Sequence, residues 1–107
     1  MAEIFEITNY QYYSFSSRDS GAKSVAICTG NAGKTVYVHF RGAADSLSEA
    51  TQIDADRFIL YYRESELQTI IDMLRNEKPV YLIYQPDGTN NSRISTGSEP
   101  VGEGELP

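Results

Sequence analysis

Between Ser65 and Pro79 the chain carries the one stripe that any fold of it has to bury. Leu67, Ile70, Ile71 and Leu74 recur at the i, i+3, i+4, i+7 spacing of a single helix face. Ser65-Glu66-Leu67-Gln68 matches a capping box, with Ser65 as N-cap and the Gln68 side chain reaching back to it. Glu64 and Glu66 at the front, and Arg75 and Lys78 at the back, suit the helix dipole. Pro79 ends the run at or before Lys78. The pattern predicts a helix over 65–78. A helix that is apolar along one stripe needs a surface to lie on, and the rest of the chain offers strands.

Residues 34–40 alternate most clearly: Val36, Val38 and Phe40 to one side, Thr35, Tyr37 and His39 to the other. That is the period of a half-buried antiparallel strand. Residues 24–29 read as its hairpin partner, with Val25 and Ile27 on one side and Ala26 and Cys28 on the other. The turn falls at 30–33, where Gly and Asn tolerate positive φ. Residues 58–62 are apolar on both sides and are expected near the middle of the sheet. Residues 4–15 read as one long strand, or as two short ones broken near Thr8-Asn9. Phe5, Ile7, Tyr13 and Phe15 share one parity there; Ile4, Tyr10 and Tyr12 share the other. A turn is expected at 16–21, and another around Pro86-Asp87-Gly88, between strands at 80–84 and 93–96. The last of these is expected at an edge. Between 41 and 56 the pattern fades. Ser46-Leu47-Ser48-Glu49 matches a second capping box and predicts a short helical turn.

The 107 residues suit one domain. The expected fold is α+β: an antiparallel sheet of five to six strands with one main amphipathic helix on one face, in the order β-β-β-β-α-β-β. The domain spans 1–96. Residues 97–107, with three Glu among Gly and Pro, are expected to form a flexible acidic tail. Opposite the helix should stand Ile7, Val25, Ile27, Val36, Val38, Phe58, Leu60 and Leu82. In element order alone, and without a shared motif, strands followed by one amphipathic helix resemble the sheet-plus-helix domains of Whirly-like single-strand binders.

No complete catalytic or cofactor motif is present, so neither a cofactor nor a metal is expected. Gly30-Asn31-Ala32-Gly33-Lys34-Thr35 resembles the end of a phosphate-binding loop, but Cys28 stands where its first Gly belongs and a strand follows instead of a helix. The turn at 30–33 is therefore read as a hairpin. His39 is the single histidine and Cys28 the single cysteine. Matched about that hairpin, Cys28 falls beside Thr35 and Val36, several residues from His39, which disfavours a Cys–His pair. One thiol also cannot form an internal disulfide or a cysteine metal cage. Asp54 and Asp56 flank Ala55, but a stable cation site draws on more oxygen ligands than two.

The formal charge is −6, and the nine basic residues are scattered with no two adjacent. A general phosphate-binding surface clusters them. What the chain does have is tyrosine, eight of them with no Trp, in a group at Tyr10, Tyr12 and Tyr13 followed by Phe15 and Arg18. Tyr and Arg are enriched in binding hot spots. The leading expectation is a non-enzymatic interaction or accessory protein that works through a Tyr-rich sheet face or edge strand. Its binding residues would be Tyr10, Tyr12, Tyr13 and Arg18, and its partner another protein or a second copy in a homodimer. The alternative is single-stranded nucleic acid stacked on the same aromatics, which the acidic charge weighs against. An enzyme with an unrecognised site ranks third. No run approaches the ~20 apolar residues of a membrane span and no signal peptide is evident, so a cytoplasmic protein without a membrane partner is expected.

Overall fold

The computed structural model describes residues 2–17, 21–87 and 91–97. Its elements are β1 (Glu3–Ser14), β2 (Ala22–Gly30), β3 (Thr35–Arg41), β4 (Thr51–Asp54), β5 (Arg57–Arg63), α1 (Leu67–Asn76), β6 (Val80–Tyr84) and β7 (Arg93–Thr96). All the strands join one sheet, in the order β4-β5-β3-β2-β1-β6-β7. The expected antiparallel sheet of five to six strands is thus corrected to a seven-stranded mixed sheet. The cause is β4. After β3 the chain passes beyond the next lane, lays down β4, and returns through a tight reversal as β5, which therefore runs parallel to β3. Every other pairing is antiparallel. β4 and the loop before it replace the helical turn expected at Ser46 to Glu49, where the chain is irregular. A capping match with no apolar face behind it has nothing to hold a helix against the sheet.

The sheet curls into a half-barrel. β5 and β6 are four lanes apart, which in a flat sheet would put them roughly 19 Å apart. Yet the Phe58 and Tyr84 rings lie 5.1 Å apart, and Phe58 stands 6.0 Å from Phe5 of β1. The hollow is filled by Phe5, Ile7, Ala26, Cys28, Val36, Val38, Phe40, Phe58, Leu60, Val80, Leu82, Tyr84 and Ile94, with Ile70 of α1 closing it.

Two faces differ from expectation. On β2 the residues that face the helix are Ala26 and Cys28, paired with Val38 and Val36; Val25 and Ile27 take the convex side. Four aromatic rings, from Phe5, Phe40, Phe58 and Tyr84, occupy the hollow, leaving room on the central strand only for small side chains. On β1 the register slips between Ile7 and Asn9. The extra residue reverses the parity beyond Thr8, so Tyr10 and Tyr12 continue the face of Phe5 and Ile7, while Tyr13 and Phe15 leave it.

The helix is shorter than expected. A 3-10 turn at Glu64–Glu66 leads into α1, and together they cover 13 residues. No side chain caps either start. Ser65 is exposed, and Gln68 donates instead to the Asp72 carboxylate at 2.8 Å. Of the apolar stripe only Ile70 is fully buried; Leu67, Ile71 and Leu74 are half-buried against the core. The expected hairpin turn is present, a 3-10 turn at Asn31–Gly33 with positive φ at Ala32 and Gly33. The acidic tail expected over 97–107 falls outside the described residues from 98 onward. No helix is long and apolar enough to cross a membrane among those described.

Candidate functional site

β1 has two halves with different neighbours. Glu3 to Ile7 lie between β6 and β2, with Ile7 opposite Val80 on one side and Gly30 on the other. β6 begins at Val80, directly after α1, so it reaches no further along β1. From Asn9 onward β1 pairs with β2 alone, through Tyr10↔Cys28, Tyr12↔Ala26 and Ser14↔Ser24. The outer edge of residues 9–14 therefore has no strand beside it among the described residues.

Thr8 and Gly30 mark the point of division. Thr8 Oγ1 donates to the Thr29 carbonyl at 3.3 Å. Opposite, β1 and β2 approach so closely at Gly30 that a Cβ there would stand 2.1 Å from the Glu6 carbonyl oxygen and 2.6 Å from the Phe5 ring. Only glycine fits.

The sequence-expected binding residues are distributed as follows. Tyr10 faces the hollow and packs partly against the core. Tyr12 projects on the same side but beyond the core, 39% exposed. Tyr13 lies on the convex side, 38% exposed, its ring edge-on to Phe15 at 5.4 Å. Arg18 lies outside the described residues. The tyrosines thus flank one open edge from both faces instead of forming a single platform.

The convex face carries a second aromatic row that the sequence reading did not single out. Tyr13, Val25, His39 and Tyr61 are successive partners across four strands. His39 and Tyr61 meet edge-to-face at 5.4 Å, and the Arg41 guanidinium lies 5.9 Å from the Tyr61 ring centre. The Arg41 Nε is buried and has no hydrogen-bond partner among the described residues. The alternation of 34–40 puts Tyr37 and His39 on one side; what joins His39 to Tyr61 is the parallel register of β5, which pattern alone does not give.

A pocket of about 370 Å³ opens where β6 parts from β1. Its floor includes Ile7, Tyr10, Leu74 and Val80, and its rim Asn9, Asn76 and Lys78. Neither Cys28 nor His39 lines it. Those two lie on opposite faces of the sheet, Cys28 paired with Val36 and His39 with Val25. Burial pushes the Cys28 thiol up to about 12, which keeps it protonated and unreactive.

The Asp54 and Asp56 pair is taken up locally. Asp54 accepts the Asp56 N–H at 2.9 Å and the Arg57 Nε–H at 2.8 Å, and these bonds hold its carboxyl below its ordinary value. Asp56 pairs with Lys34 at 3.4 Å, and the same ammonium reaches Glu3 and the Ala55 carbonyl. Among the described residues no group of three His, Cys, Asp or Glu could hold a metal ion.

Compared with protein-family models, with curated proteins and with solved structures, the chain matches none.

Proposed function

We propose that this chain is a non-enzymatic interaction protein that binds by accepting an extended strand along residues 9–14 of β1. The observation that carries this reading is the early start of β6, which leaves a regular strand edge with its backbone groups facing outward. A row of unpaired N–H and C=O groups is a template for another strand, and strand addition is a common mode of peptide recognition. Main-chain bonds supply affinity, and side chains on both faces supply choice. Here those side chains are Tyr10 and Tyr12 on one face and Tyr13 on the other. The nearby pocket gives an incoming segment a place to seat one further side chain.

A photo-crosslinking amino acid placed at Tyr12, with a control at the exposed Ser65, tests the reading in cells. Crosslinks are expected from position 12 and not from 65. Equal absence at both, together with undiminished partner recovery by Tyr12→Ala and Tyr13→Ala, overturns it.

A second reading draws on the convex row. Tyr13, His39 and Tyr61 with Arg41 beside them are suited to stacking unpaired bases and holding a phosphate. On this reading, fluorescence anisotropy at low salt registers oligonucleotide binding that weakens as salt rises and falls in Tyr61→Ala. No binding at low salt removes it.

A further inference from the structure

Resting on the strand-accepting edge just described, we infer that the strand it accepts is β1 of a second copy of this chain, added antiparallel about a two-fold axis. Among the described residues, the outer edges of β4, of β7 and of residues 9–14 of β1 are managed differently, and that contrast is the first support. β4 is four residues long, is bulged between Gln52 and Asp54, and ends in an ion pair with Arg57. β7 is also four residues long, and its Ile94 N–H is already taken by the Tyr62 hydroxyl. Shortness, bulges and satisfied amides are how edges are blunted against self-pairing. Beyond the bulge at Thr8, residues 9–14 of β1 carry none of these devices among the described residues. They contain no Pro, no Gly and no charged residue.

The absence of charge is the second support. A chain of formal charge −6 repels its own copies, and like charges set directly opposite one another destabilise a strand pair. The segment Asn-Tyr-Gln-Tyr-Tyr-Ser meets its own reversed copy without opposing any two charges. Glu3 and Glu6 lie on the half of β1 already paired with β6, so neither carboxylate enters the new seam.

Symmetry, together with the greatest overlap of residues 9–14, then leaves two registers. A two-fold axis perpendicular to the sheet keeps each face continuous, so paired residues must share parity. Pairing about Gln11 sets Tyr10 opposite Tyr12 of the second copy in the hollow and Asn9 opposite its Tyr13 on the convex side. Pairing about Tyr12 sets that ring opposite its own symmetry mate. Either choice continues the sheet through the axis and carries the Phe15 end of the second copy toward the pocket beside Asn9.

The test uses the full chain. Sedimentation velocity across a dilution series is expected to show a dimer that dissociates on dilution. Tyr12→Lys, which sets two ammonium groups against each other at the seam, is expected to leave a monomer with an unchanged far-UV spectrum and melting profile. In separate variants, Gln11→Cys or Tyr12→Cys is expected to form an interchain disulfide under mild oxidation, with one position well ahead of the other. Thr51→Cys, on the exposed edge strand β4, is the control and should not. The buried Cys28 stays silent in each. Wild-type protein that is monomeric at every concentration, with no crosslink from position 11 or 12, overturns the inference. A dimer that Tyr12→Lys leaves intact also overturns it. If the chain is monomeric but the photo-crosslinker at Tyr12 captures a different protein, the strand-accepting edge stands and only the choice of a second copy falls.

Discussion

The hydroxyl of Tyr62 accepts the backbone N–H of Ile94 at 3.3 Å, tying β5 to β7 across the mouth of the half-barrel. These strands are five lanes apart in the sheet order, so this bond is a direct consequence of the curl. It satisfies an edge amide that would otherwise face an incoming strand.

Tyr62→Phe removes the acceptor and keeps the ring against Phe40, 6.2 Å away. The expected loss is about 1 kcal/mol, the usual net worth of one such bond, read as a lower urea midpoint at unchanged slope.

The same phenol makes a pH prediction. Burial raises the Tyr62 pKa above its ordinary 10.0, against the opposing pull of the Ile94 N–H. The folded state then holds the phenolic proton more tightly than the unfolded state does. Its contribution to stability is fully present below the ordinary value and is lost as pH rises through the raised one. Alkaline melting curves should fall more steeply above pH 10 for wild type than for Tyr62→Phe. Parallel curves would refute the assignment.

Gly30→Ala should be among the most damaging single substitutions. Its Cβ has no room between the Glu6 carbonyl and the Phe5 ring, and the obstacle is backbone, which cannot rotate away. A loss of roughly 3 kcal/mol or more is expected, at the upper end for point changes, measured by chemical denaturation. A loss well under 1 kcal/mol, small even for an ordinary buried change, would show that β1 and β2 are not so close at the bulge.

The helix should depend on one side chain more than on its stripe. Ile70 is buried, while Leu67 and Leu74 are half-buried. Ile70→Ala is expected to cost about 2–4 kcal/mol, as core truncations do. Leu67→Ala should cost about half of that, in proportion to the smaller apolar area it removes from water. Equal losses would mean that α1 is rotated about its axis relative to this packing.

Cys28 offers a folding probe. Its thiol is buried and raised to about 12. At pH 8, an aromatic disulfide reagent is expected to leave the native protein unlabelled and to react promptly in denaturant. Prompt labelling of native protein would place the thiol at the surface.

What the sequence carried legibly was local. The alternation of 34–40, the Gly-Asn turn and the stripe before Pro79 each act within one element, and each element is there. What it hid was relational. β4 is exposed at all four positions, so no alternation marks it, and its position alone makes β3 and β5 parallel. The faces of β2 were misassigned because Val25 and Ile27 look more core-like than Ala26 and Cys28, yet a concave surface already filled with rings selects for smallness. The parity of Tyr10 to Phe15 was misread because a bulge changes which side a residue faces without changing its type. The capping box at Ser65 failed for a different reason: a 3-10 turn comes first, and Gln68 has a better partner in Asp72.

The division of β1 at Thr8 places two kinds of selection on one continuous strand. Before it, Phe5 and Ile7 are wedged among rings and can change little in volume. After it, the exposed positions from Gln11 to Ser14 can trade tyrosine for other strand-forming residues with little disturbance to the interior. Sequence change can therefore accumulate along one short arm while the half-barrel behind it stays as it is.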